Sequence, residues 1–273
     1  MKRSHCVRGL SAVMFVMVLC SCFLVHAQQK GEYEPQVGQA GKDVVWVPTQ
    51  QDLVNRMLEM AKVTPQDYVI DLGSGDGRTV ITAAKLGAKA MGIEYNPDMV
   101  ELSKKNAEKE GVSDKATFVK ADLFESDFSK ATVITMFLLP DINLKLRPRI
   151  LNLKPGTRIV SNSFTMDDWE DDATSSLESC TSWCTAHMWI VPAKVEGKWK
   201  LSDGELSIEQ KYQMIKGTLS KAGKEIPVNG KLNGNVISFR ADQTEYEGQL
   251  DGNVISGVAK STVGNSSWRA EKE

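Results

Sequence analysis

The stretch YVIDLGSGDGR, residues 68–78, constrains the fold more than any other part of the chain. An apolar run stops at Asp71 and opens into glycines at 73, 75 and 77. Glycine lets a backbone turn sharply and approach a ligand without a Cβ, and the helix that follows points its N-terminal amides the same way. A strand, a glycine loop and a helix open an α/β unit. The pattern continues, with predicted strands at 67–72, 88–95, 116–123, 131–140 and 156–164 and helices at 78–87, 97–111 and 141–152. Short apolar strands alternating with helices predict parallel βαβ units, and hence a doubly wound, mostly parallel sheet covered on both faces. Upstream, VVWVPTQQDLVNRMLEMAKV predicts an extended piece, a Pro-Thr stop with Thr49 as N-cap, and a helix with Leu53, Met57, Leu58 and Ala61 on one face.

Ligands of such sheets bind at the carboxyl ends of the strands, where Asp71, Glu94, Asp122 and the segment Phe137–Pro140 all fall. The loop alone does not select a cofactor, and a tight strand-to-helix turn is its lesser alternative reading. A carboxylate directly before the glycines would repel a pyrophosphate. The pattern D-x-G-x-G-x-G therefore suits a cationic ligand without phosphates. Glu94 is placed to accept both hydroxyl hydrogens of a ribose, and Asp122 to accept from an adenine amino group while Leu123 covers the ring. Each acid alone reads equally well as a solvated strand end; their common register favours the site.

On these residues, DLGSGDGR, GIEYNP and KADLFE, the region 44–193 resembles the class I, Rossmann-like S-adenosylmethionine-dependent methyltransferases. More narrowly, VPTQQDLVNRML and FLLPDINLKLRPRILNLKPGTRIVSNSF are similar to bacterial relatives of the seven-strand, non-SET protein-lysine methyltransferases. The resemblance implies S-adenosylmethionine as cofactor, bound by Asp71, Gly73, Gly75, Gly77, Glu94, Asp122 and Leu123, with Pro48 and Thr49 closing over it. It also implies that Phe137, Leu138 and Pro140 border an acceptor channel; Asn162 and Phe164 are further candidates at the fifth strand end. Methyl transfer from a sulfonium requires orientation and exclusion of water, so no catalytic base is assigned. The apolar MFLLP stands where a nucleobase-amine enzyme carries (D/N)PP(Y/F), and suits an aliphatic lysine stem better than a flipped base. Trp169 and Trp183 read either as an aromatic wall for a methylammonium group or as ordinary packing. The chain departs from the family layout in a short 164–188 region holding two cysteines and in an appended β-rich region.

From Lys194 to Glu273 helical periodicity vanishes. Short alternating strands are separated by Asp203-Gly204, Asn233-Gly234 and Asp251-Gly252, which suit type I′ hairpins. GKLNGNVIS at 230 recurs as GQLDGNVIS at 248. An antiparallel meander of about eight strands, closed or half-closed like a small barrel, is expected. Its role is open, acceptor recruitment and simple packing being the alternatives.

Residues 1–27 read as a secretory signal peptide: Lys2, Arg3 and Arg8 precede an apolar run that ends in Val25-His26-Ala27. An uncleaved anchor or cleavage before Cys22 are the other readings, and all three export the folded part to the periplasm or beyond. Residues 28–43, with Gly, Gln and Pro and no apolar period, read as a flexible linker. The organisation is thus 1–27 signal, 28–43 linker, 44–193 methyltransferase domain and 194–273 β domain. Past the signal segment only Cys180 and Cys184 remain, a pair suited to a disulfide across a tight hairpin in an exported protein. His187 is too little to complete a zinc site, so no metal is expected. A net charge of −2 without a basic, aromatic-laced stripe argues against a nucleic-acid partner. A protein or small-molecule methyl acceptor is expected, with membrane contact only through an uncleaved N-terminus; the sequence leaves the oligomeric state open. Because S-adenosylmethionine is made in the cytosol, export raises an alternative: a nucleoside-binding or adaptor protein with a non-catalytic methyltransferase fold.

Overall fold

Strand β1 (Tyr68–Leu72) lies inside a seven-stranded sheet, and its side chains alternate between two cores. Val69 packs with Leu53, Leu58, Val80, Val100 and Phe118 on one face. Ile70 and Leu72 pack with Ile93, Met136, Leu146 and Trp189 on the other. A strand buried on both sides reads as one unbroken apolar run, which is why Asp71 stands out in it. The computed structural model describes residues 33–273, so the expected signal peptide lies outside the described residues.

The α/β part runs α1 (Gln51–Met60), β1, α2 (Arg78–Lys85), β2 (Lys89–Glu94), α3 (Pro97–Lys109), β3 (Ala116–Lys120), β4 (Val133–Met136), α4 (Pro140–Ile150), β5 (Arg158–Asn162), β6 (Ala173–Ser176) and β7 (Thr185–Ile190). The sheet order is β3-β2-β1-β4-β5-β7-β6. Strands β1 to β5 are parallel, while β7 runs antiparallel to both β5 and β6. A tight hairpin across the cysteine pair was expected, but its strands β6 and β7 were not among the predicted strands, because both are short and β6 is polar. The loop between them is closed by a Cys180–Cys184 disulfide.

Helix starts follow local chemistry. Asn96 caps α3 by accepting from the Asp98 and Met99 amides at 2.9 and 3.4 Å, with Pro97 at the first helical position. At α1 the N-cap is Gln50 rather than the expected Thr49, and it makes no side-chain cap bond. The Thr49 hydroxyl is turned inward instead, accepting from the Asn162 side-chain amide at 3.1 Å.

The remaining strands, β8 (Gly197–Leu201), β9 (Gly204–Lys211), β10 (Met214–Lys221), β11 (Lys224–Asn233), β12 (Val236–Ala241), β13 (Thr244–Asp251), β14 (Val254–Ser261) and β15 (Gly264–Lys272), form a closed antiparallel barrel. Each pairs with its chain neighbour and β15 closes on β8. Inward positions are apolar, including Trp199, Leu206, Ile237, Phe239 and Trp268. The repeated turns are Gly234-Asn235 and Gly252-Asn253, in which the glycine alone has positive φ, +60° and +56°. That matches type II′, with glycine at the first central position, rather than the expected type I′. At the third expected turn Gly204 opens β9, where a Cβ would lie 2.1 Å from the Ser220 carbonyl oxygen; the turn itself is Ser202-Asp203.

The barrel and the sheet domain meet at the turn before β6. The Asp168 carboxylate accepts from Tyr212 Oη at 2.9 Å and Arg147 Nη1 at 2.7 Å and pairs with Lys211 at 3.1 Å. Led by the Tyr212 hydrogen bond, these partners hold its carboxyl down to about 2. Beside it Trp169 stacks on Tyr212, and Gln213 donates to the Glu170 carbonyl at 2.7 Å.

Residues 34–43 were expected to be part of a linker. They fold instead into a small turn over the sheet: the Gly38 amide donates to the Trp46 carbonyl at 2.8 Å, the Trp46 amide to the Gln39 carbonyl at 2.9 Å, and Ala40 bridges Val45. A polar Gly-containing sequence carries no period when its order comes from docking on another surface.

Candidate active site

One cavity at the carboxyl ends of β1, β2 and β4 collects most of the residues singled out by the sequence. Pro48, Thr49, Asp71, Gly73, Gly75, Glu94, Asp122, Leu123, Phe137 and Leu138 all line it. Three expected members do not. Gly77 sits behind the loop at φ +83°, where a Cβ would lie 2.8 Å from the Phe118 ring and 2.9 Å from Ser103 Cβ. Its small size serves helix-to-sheet packing rather than ligand approach. Pro140 is exposed and begins α4, leaving Leu139 on the cavity wall. Asn162 is fully buried and reaches the cavity only through Thr49.

The loop is fixed from below. Gly73 and Gly75 have φ of +80° and +53°, a region that side chains adopt rarely. A Cβ on Gly75 would lie 2.6 Å from Trp46 Nε1, and one on Gly73 would lie 3.2 Å from Leu138 Cδ2. From α3, Ser103 Oγ donates to the Gly75 carbonyl at 2.8 Å and Asn106 Nδ2 to the Asp76 carbonyl at 3.0 Å. Glu94 closes the ring of contacts, one oxygen accepting from the Gly75 amide at 2.9 Å and the other from the Asn96 amide at 2.9 Å. Each oxygen keeps a second lone pair for a ligand hydroxyl.

Parallel pairing sets Asp71 opposite Thr135, whose hydroxyl donates to Asp71 Oδ1 at 2.6 Å. Burial pushes the Asp71 carboxyl up to about 7; Thr135 opposes this, and the Glu94 and Asp76 charges add to it. A cationic ligand group beside Asp71 would reverse the trend. At another wall Asp122 Oδ1 accepts from the Phe124 amide at 2.8 Å, while Oδ2 is paired with Lys42. This pairing raises Lys42 and lowers Asp122, and it brings Lys42 Nζ to 5.2 Å from the Tyr95 ring centre.

The donor set fits S-adenosylmethionine. Five acidic residues line the cavity, Asp43, Asp71, Asp76, Glu94 and Asp122, and its two cationic residues are committed, Lys42 to Asp122 and Arg78 to Asp76 and the Thr49 carbonyl. Among the described residues this leaves no uncommitted cation on the walls for a pyrophosphate, whereas an ammonium, a ribose diol and an adenine amine each find an acceptor. Asp71, Glu94 and Asp122 would hold these three groups, and Gly73 and Gly75 would let the backbone come close.

Another side of the same cavity is aromatic. Phe137, Phe164 and Trp183 line it, with ring centres 5.9, 5.7 and 5.2 Å apart. Trp169, the other tryptophan considered for such a wall, is instead fully buried against Trp189 and Tyr212. Sequence reasoning missed Lys42, Trp46 and Tyr95 on the walls and Ser103 and Asn106 beneath the loop; only the loop-to-helix spacing hinted at the last two. Among the described residues no cluster of potential ligands could hold a metal ion.

The comparisons with known proteins agree with this chemistry. Residues 71–173 match the family described as ANTKMT methyltransferase domain. A Saccharolobus islandicus protein-lysine N-methyltransferase is 44% identical over 151 residues, 54% of this chain and 94% of that protein. The mouse adenine nucleotide translocase lysine N-methyltransferase is 32% identical over 119 residues, 43% of this chain and 52% of the relative. A crystal structure of a Salinibacter ruber RNA methyltransferase in complex with S-adenosyl-L-homocysteine is 48% identical, covering 55% of this chain and 96% of that one with a TM-score of 0.52. The fold, the carboxylate and glycine site and these matches together establish that the chain belongs to the class I S-adenosylmethionine-dependent methyltransferases, in the ANTKMT family.

Proposed function

We propose that this enzyme methylates the side-chain amine of lysine in a protein acceptor. The observation that carries the reading is the wall formed by Phe137, Leu138, Phe164 and Trp183, which shares one cavity with the carboxylates and glycines. An extended methylene stem packs on such a wall, and a terminal amine loses water as it enters.

S-adenosylmethionine, when bound, supplies an electrophilic methyl group to a nucleophile approaching in line. Lysine offers its lone pair only after losing a proton, and an apolar surrounding favours that by lowering the amine pKa. Pro48 and Thr49, with Asn162 behind Thr49, shape the wall contributed by the chain ahead of α1. The lysine N-methyltransferases among the relatives support this acceptor. The RNA named for the Salinibacter protein is the competing acceptor, and the net charge of −2 argues against it here.

An exported location is supported by the Cys180–Cys184 disulfide, since such bonds persist in oxidising compartments. Incubating the protein with labelled S-adenosylmethionine and an extract of the source cells tests acceptor and location together. Label on lysine in an exported protein fraction is the expected result. Label on RNA would overturn the lysine reading, and label confined to cytosolic proteins the exported location.

A further inference from the structure

Trp183 owes its position to covalent chemistry rather than to burial. It is 45% exposed, yet its ring meets both Phe137 and Phe164 at the cavity. Its backbone φ is +56°, a conformation that a bulky residue adopts only when its surroundings impose it. The disulfide between Cys180 and Cys184 encloses it in a ring of five residues. One hydrogen bond closes the base of that ring, the Leu177 amide to the Cys184 carbonyl at 3.0 Å, and the next residue, Thr185 at the start of β7, accepts from the Ser163 amide at 2.6 Å. Ser163 itself has φ +59° and is followed by Phe164, the ring nearest Trp183. Two of the three rings thus hang on strained backbone beside one strap.

We propose that the Cys180–Cys184 disulfide is a positioning device for the acceptor side. It holds Trp183 against Phe137 and Phe164 so that the three rings receive the amine, and then the methylammonium, of the acceptor. This rests on the lysine reading above. Cations are attracted to ring faces within about 6 Å of the centroid, and methylation spreads the charge over apolar methyl groups that shed water easily. The cofactor-facing residues are held by α3, β2 and the loop itself, so the strap governs acceptor binding and leaves cofactor binding unchanged. Reduction by a dithiol breaks the single S–S bond with two electrons and two protons, leaving two thiols while the dithiol becomes its own disulfide. The loop is then free to let Trp183 leave the wall.

The test uses the full protein saturated with S-adenosylhomocysteine and titrated with N-acetyl-Nε-trimethyl-lysine amide, reading the Trp183 indole N–H by nuclear magnetic resonance. Trp183→Phe assigns that signal. The probe is expected to shift it, and its affinity, measured by calorimetry, to fall at least fivefold after dithiothreitol treatment, in Cys180→Ser/Cys184→Ser and in Trp183→Ala. S-adenosylhomocysteine affinity, measured by calorimetry on the same samples, is expected to stay within twofold and reports that each variant is folded. Probe affinity that survives reduction and the double serine variant would overturn the strap while leaving the lysine reading intact. A Trp183 signal that the probe does not move would overturn the ring site, and labelled transfer would still decide the acceptor.

Discussion

The carboxylate and aromatic sides of the cavity are built by different means. Asp71, Glu94 and Asp122 stand at or just beyond the ends of neighbouring parallel strands, and backbone pairing sets their spacing. Phe137, Phe164 and Trp183 come from three separate connections, one of them closed by a disulfide. One side is a by-product of sheet register and tolerates little change; the other depends on loops and is free to vary with the acceptor. Function carried on loops over a rigid scaffold is the general expectation, and here the two arrangements face each other across one space.

Substitutions that disturb the register-built side should therefore cost most. Gly77→Val puts side-chain atoms into Phe118 and Ser103 at positive φ, and roughly 3 kcal/mol of stability should be lost from overpacking and backbone strain. Thermal melting should fall by about 10 °C; an unchanged melt would show that the loop is not clamped from below. Glu94→Ala removes the acceptor of the Gly75 and Asn96 amides as well as the proposed ribose contact. Calorimetry should find S-adenosylhomocysteine binding weaker by about 1.5–3 kcal/mol, with acceptor-probe contacts on the aromatic side retained.

Next in size is a pH effect at Asp71. Its folded carboxyl is raised from 3.8 to about 7, so the ligand-free fold binds the extra proton across that interval. Stability from this group is complete below about pH 4 and is lost as pH rises through about 7, because the unfolded state ionises first. Asp71→Asn should melt above the parent by a margin that grows from pH 5 to pH 8. S-adenosylhomocysteine affinity should rise with pH through about 7 in the parent and be flat in the variant. Smallest is Lys42→Ala. An exposed ion pair contributes little, so freeing Asp122 should change cofactor affinity by no more than about threefold and remove part of its salt dependence. A larger change would mean that the segment before α1 is a latch rather than a wall.

The same contrast explains what could be read in advance. The parallel βαβ units, the glycine loop and three acids followed from consecutive residues whose periodicity and spacing carry their meaning, and the repeated GNVIS segments announced the barrel. Gly77 was misassigned because a glycine that avoids a ligand and one that avoids Phe118 look alike in sequence. Asn162 was placed at the right strand end, but its side chain reaches back to Thr49 across 113 residues. Residues 34–43 carry no apolar period, so the place of 39–43 on the cavity wall was invisible, as was the meeting of Phe164 and Trp183. Contacts made by register are local statements repeated along a chain; contacts between connections are not.

The most direct measurement is a crystal structure of the protein with S-adenosyl-L-homocysteine. The ribose is expected on Glu94, adenine beside Asp122 and Leu123, the amino-acid end at Asp71, and the sulfur open toward Phe137, Phe164 and Trp183. A ligand whose sulfur faced away from those rings, or whose ribose lay off Glu94, would contradict the two-sided cavity on which the proposed chemistry rests.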